Sequence, residues 1–281
     1  MAGSKNSRSV NALARLAWTA AALLAVVATL LLWQDSRDHR LIAQAALSLE
    51  TGRSLTPAQR FEAYLHYAHD AIRKNRSKGE IPSRWVRLYY VLNPTHPGPA
   101  DVLRWGSDYR GGCGSHVRVV VTMLQAAGMQ ARPLIVLSPA GKNIHTVVEG
   151  WVDGRWVVGD PLYGIAFRDR AGQLATVKEL VADRPLFMKQ VSGAPGYDKE
   201  LYDYDQVTLF NWNKIPVLLP AVRRVLVLLL GEARVQDIVR PSLWMWPAEF
   251  WSLVCYLGAV VCALIGWLAG RSRRRAALRA S

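Results

Sequence analysis

Arg110-Gly111-Gly112-Cys113-Gly114-Ser115-His116-Val117 and, further on, Ile144-His145-Thr146 followed by Asp153-Gly154-Arg155-Trp156-Val157-Val158-Gly159-Asp160 are the stretches that decide how this chain folds. After the two glycines, Val117, Val120, Val121, Leu124 and Ala127 recur at helical spacing, and Gly128 is placed to end the helix as a C-terminal cap. The spacing predicts a helix over Gly114 to Ala127. Strand-like pieces follow at Gln130 to Leu137, Ile144 to Val152 and Arg155 to Val158. Asp153-Gly154 is a two-residue hairpin signal, so the last two strands must be antiparallel. A helix followed by an antiparallel sheet is an α+β core.

Three residue types with complementary chemistry fall at the ends of these elements. Cys113 sits at a helix N-terminus, where free N–H groups and partial positive charge favour thiolate. His145 opens one strand and Asp160 follows the next, so the hairpin can bring them side by side at one sheet edge. A nucleophile, a base and a carboxylate to orient the base suffice for thiol acyl chemistry. The two other cysteines, Cys255 and Cys262, lie in a long apolar run. Cys113 is thus left without an intrachain disulfide partner outside that run.

The ordered set Gly112-Cys113, Ala127-Gly128, Ala131-Arg132, His145-Thr146, Asp153-Gly154-Arg155-Trp156 and Asp160-Pro161 resembles the transglutaminase-like superfamily, over roughly residues 100–165. The resemblance implies a papain-like core and a Cys–His–Asp triad in this order, here Cys113, His145 and Asp160. It implies a thioester acyl-enzyme formed from an amide or ester and released to water or an amine, with no cofactor and no metal. The superfamily's oxyanion-stabilising side chain lies upstream of the cysteine, where Trp105 and Tyr109 stand; the backbone N–H of Cys113 is a more general donor. His116, one turn after Cys113, can line the cleft. Members without known activity exist, so the resemblance also admits a non-catalytic scaffold that binds an envelope glycan or peptide.

Outward from this core, the 281 residues carry 35 Lys+Arg against 21 Asp+Glu and are 51% hydrophobic. That composition excludes a disordered chain, a collagen-like repeat and a disulfide-stapled miniature. Half of the net charge of +14 belongs to the flanks, beside apolar runs. No basic–aromatic repeat accompanies the charge, so no nucleic-acid partner is expected. Residues 16–33 form one apolar run; Phe250 to Ala269 form a second, with Trp244, Trp246 and Trp251 at its start and Arg271, Arg273, Arg274 and Arg275 after it. Both read as transmembrane helices.

Basic residues precede the first span and follow the second. The positive-inside rule places both termini in the cytoplasm and the domain outside the inner (cytoplasmic) membrane. The expected organisation is a cytoplasmic tail (1–15), a span (16–33), an extracytoplasmic domain (34–214), an interfacial amphipathic segment (215–240), a span (244–269) and a basic tail (270–281). Arg223-Arg224 splits the apolar residues of the interfacial segment, which makes a third span costly. Expected partners are the lipid bilayer, an envelope peptide, peptidoglycan or glycan, and a possible envelope-complex protein. Helices are also read at 41–50 and 57–74, the latter from Thr56-Pro57. His66 and His69 read as helix-surface residues. The Tyr- and Asp-rich residues 197–205 read as a solvated loop.

Overall fold

A computed structural model describes residues 3–77, 98–105, 112–198, 204–210, 212, 217–236, 238 and 247–280. The chain divides into two units: Asp38–Pro241, and Met1–Arg37 with Ser242–Ser281. In the second of these, the N-terminal part of α1 (Gly3–Glu50) packs against α9 (Pro247–Ala280). Gly258 lies against Leu24 and Gly266 against Trp18, and the Thr29 and Tyr256 hydroxyls are 3.1 Å apart. These pairings run in opposite directions along the two helices, which are therefore antiparallel. Small residues at such contacts let helix backbones approach closely. Both helices contain stretches long and apolar enough to cross a membrane, Ala12–Glu50 and Phe250–Ser272, and most of each apolar window is exposed. A buried core helix would instead be covered by its own protein.

The larger unit is α+β. Its sheet is antiparallel throughout and ordered β4-β3-β2-β1-β5, from β1 (Ala131–Leu137), β2 (Asn143–Val152), β3 (Arg155–Asp160), β4 (Ile165–Ala166) and β5 (Val207–Thr208). Asp153 and Gly154 both take positive φ, 49° and 82°, as a type I′ hairpin turn requires. The register sets Arg132 opposite Glu149 and Val148 opposite Gly159, which sorts the side chains onto two faces.

One face carries Ile135, Val148, Gly150, Val157 and Gly159 and receives α2 (Pro57–Ser77) and α4 (Cys113–Ala126). Thr56 and Gln59 form a reciprocal cap at the start of α2. The side chains of Phe61 and Leu65 on α2 press onto the sheet where Gly150 and Gly159 have none. A Cβ on Gly150 would lie 2.6 Å from Phe61 Cδ2. Helix α4 is buried continuously from His116 to Leu124, because α2 and α3 (Pro99–Trp105) cover the side that the sheet does not. The stripe expected from Val117, Val120, Val121 and Leu124 is real, but it is only part of the buried surface.

The other face, Leu134, Val136, Val147 and Val158, is closed by a cluster containing Phe167, Phe187, Val191, Tyr197, Tyr204 and Leu209. Helices α5 (Val177–Ala182) and α6 (Arg184–Val191) supply part of it, each begun by a side-chain cap, Thr176 and Asp183. This corrects the reading of 197–205 as a solvated loop: Tyr197 and Tyr204 are core residues, 7% and 1% exposed. Asp198 and Asp205 do face solvent, and Tyr202 and Asp203 lie outside the described residues.

Residues 215–240, expected to be interfacial, contain helix α7 (Leu218–Leu230), followed by α8 (Glu232–Gln236). Both fall in the same unit as the sheet.

Candidate active site

Cys113 is the first residue of α4, and Gly112 before it offers no side chain to cap the helix. The first N–H groups of α4 have no partner within the helix and gather around the cysteine. The Gly112 carbonyl accepts from His116 Nδ1 at 3.1 Å, so His116 braces the turn that presents Cys113. His116 is 5% exposed and is held inside the fold.

The structure brings Cys113, His145 and Asp160 together. His145 Nε2 donates to Asp160 Oδ2 at 2.6 Å, with both side chains buried. With Nε2 committed, the ring's other nitrogen, Nδ1, is the one available to sulfur, and the Cys113 thiol is hydrogen-bonded to His145. The Thr146 backbone and side chain also bond the sulfur. Asp160 is itself aligned: its Oδ1 accepts from Leu162 N at 3.1 Å and Tyr163 N at 3.4 Å. The Tyr163 ring stands 6.0 Å from the imidazole, and its hydroxyl donates to Gly196 O.

Electrostatics follow from this packing. Burial opposes a charged His145, but the negative charge and hydrogen bond of Asp160, then the contact with Cys113, push its pKa up to about 9. Burial likewise works against the Cys113 thiolate. The hydrogen bond and charge of His145 and the bonds from Thr146 outweigh it, leaving the thiol more acidic than an ordinary cysteine. The two directions agree: both favour a thiolate–imidazolium pair over a neutral thiol and imidazole. Cys113 remains partly exposed, whereas His145 and Asp160 are sealed.

Some contributors escape the sequence reading. His69 is half-buried and does more than cover the helix surface: its Nδ1 donates to Leu162 O at 3.1 Å and Pro161 O at 3.3 Å, tying α2 to the loop that aligns Asp160. His66 is exposed as expected. Tyr204 is buried close enough for Asp160, Tyr197 and Cys113 to act on it; burial first, then Asp160 and Tyr197, hold its pKa well above the ordinary value. The signal for Tyr204 was present in the tyrosine density of 197–204, but nothing local distinguished core from surface. Tyr109 and the Trp105 side chain lie outside the described residues. Among the described residues, no group of three or more His, Cys, Asp or Glu side chains is placed to hold a metal.

Compared with known families, residues 66–161 match the transglutaminase-like superfamily. The chain therefore carries a transglutaminase-like superfamily domain, beginning on α2 and ending just past Asp160. No curated protein and no solved structure matches.

Proposed function

We propose that this chain is a membrane-anchored cysteine enzyme that forms a thioester acyl-enzyme on an amide or ester of the cell envelope, a peptide, peptidoglycan stem or glycan. The observation that carries the reading is the buried His145–Asp160 hydrogen bond beside a thiol made acidic at a helix N-terminus. The superfamily match over the same residues supports it.

The Cys113 thiolate attacks the carbonyl carbon, a C–S bond forms, and the carbonyl oxygen takes the negative charge. The N–H of Cys113 at the start of α4 is suited to receive that oxyanion. As the tetrahedral intermediate collapses, the C–N or C–O bond breaks and the leaving group takes the proton from His145 Nδ1. Neutral His145 then accepts a proton from water or an amine, which attacks the thioester. The C–S bond breaks, and the thiolate and imidazolium return. Asp160 accepts from Nε2 throughout and keeps Nδ1 toward sulfur.

The distribution of basic residues around the two apolar helices supports both termini in the cytoplasm, with residues 34–240 on the far side of the inner membrane.

The test compares wild type, Cys113→Ala and His145→Ala in a deletion strain and against iodoacetamide at neutral pH. The proposal expects both variants to insert normally and fail to complement. Alkylation at residue 113 should be fast in wild type and strongly slowed in His145→Ala. Full complementation by both variants would instead leave a non-catalytic envelope scaffold.

A further inference from the structure

Helix α7 presents an apolar stripe that no described residue covers. Leu218, Val222, Val225 and Leu229 follow one another at steps of three or four, so they lie on one side of the helix, and Leu228 flanks them. Leu228 is 85% exposed and Leu229 is 74% exposed, and no residue of α7 is buried. Leu219, Leu226 and Val227 are only half-buried. Pro220 and Arg223 line a cavity of about 390 Å³ with Leu137, Thr208, Phe210 and Trp212. One side of the helix thus faces the sheet's β5 edge across this cavity, and its most apolar side is turned outward. A water-facing helix shows the reverse.

We infer that α7 is a lipid-surface helix, lying in the plane of a bilayer with Leu218, Val222, Val225 and Leu229 among the acyl chains. Three observations select lipid over a protein partner. The same chain holds two helices long and apolar enough to cross a membrane, so the domain is tethered where a bilayer is at hand. At 13 residues α7 is about 20 Å long, too short for a hydrocarbon core of about 30 Å, and Arg223-Arg224 interrupts it at mid-length. Arg223 and Arg224 stand on the side of α7 away from the stripe, where both line the same cavity and Arg223 pairs with Glu232, so the stripe itself carries no charge. Bilayer contact removes an exposed apolar strip that would otherwise promote association in water. It would also hold the β5 edge of the sheet close to the membrane surface.

The experiment uses the full chain in nanodiscs of phosphatidylcholine and phosphatidylglycerol, with the photo-reactive benzoylphenylalanine at position 229. After irradiation, adducts are identified by mass spectrometry. The inference expects lipid adducts on upper acyl-chain carbons, at a depth of about 5–10 Å. The same probe at Lys178, on the exposed domain surface, should yield several-fold fewer. Cross-links to a second copy of the chain, adducts only at chain ends as a spanning helix would make, or a yield no greater than at Lys178 would each overturn it. If the variant at 229 does not elute as wild type does, the probe at Val225 reads the same stripe.

Discussion

Replacing Asp160 by Asn tests the electrostatic core of the site while barely changing its shape. Asparagine keeps one oxygen, which can accept from His145 Nε2 or from the Leu162 and Tyr163 amides but not from both, so the charge and one acceptor are lost at nearly constant volume. The rise of His145 from 6.5 to about 9 is worth about 3 kcal/mol at 1.36 kcal/mol per pH unit. That is a net figure, since burial opposes the rise and Cys113 adds to it after Asp160, and it sets the scale of what the carboxylate supplies. His145 is 2% exposed, so solvent does little to screen the effect. Without the carboxylate the imidazolium loses its main support, and the thiolate loses the imidazolium. Turnover should fall on the order of 10²-fold, the rate equivalent of about 3 kcal/mol. Peptide-resolved alkylation of Cys113 by iodoacetamide across pH reads the cause directly: its midpoint should move upward in Asp160→Asn.

A stability measurement gives an independent check. A buried imidazole whose folded pKa exceeds its unfolded 6.5 adds stability that is complete below 6.5 and is lost as pH rises through the folded value. In Cys113→Ser, which separates this pair from the thiol, melting temperature should decline as pH rises above 6.5. Adding Asp160→Asn should flatten the decline. An unchanged alkylation midpoint together with an unchanged slope would refute the account of how His145 is charged.

Three further outcomes follow from the packing and the charge distribution. Gly150→Ala forces its new methyl against Phe61 and should cost about 1–3 kcal/mol in a denaturant melt; a loss below about 0.5 kcal/mol would mean α2 yields easily. Arg132→Ala strips the partner from Glu149, which is 6% exposed and whose pKa burial already raises. The variant should lose about 1–3 kcal/mol at neutral pH and recover on acidification as Glu149 takes up a proton. A pH-independent loss would assign the effect to packing against Trp156, over which Arg132 stacks at 3.9 Å. A cysteine at the exposed Ser54 should react with a membrane-impermeant maleimide in cells whose outer layer has been permeabilised; protection there would reverse the proposed topology.

Local sequence was enough for whatever depends on neighbours along the chain. The 3.6-residue period of α4, the Asp153-Gly154 turn and the caps at Thr56 and Gly128 are short-range devices, and the elements fall within a residue or two of where those devices predict. The hairpin also made the approach of His145 to Asp160 legible, since a two-residue turn determines which residues face each other. The long uncharged runs at the ends were readable for the same reason: hydropathy is additive along a helix.

What the sequence could not convey was which surfaces would meet. Tyr197 and Tyr204 lie in irregular segments and are nonetheless core because α6 and Phe167 come to cover the second face of the sheet. His69 reaches a loop 92 residues away because Gly159 and Gly150 let α2 settle against the strands. The acidity of Cys113 is decided last. A helix N-terminus favours thiolate, burial disfavours it, and only the three-dimensional arrival of His145 and Thr146 tips the balance.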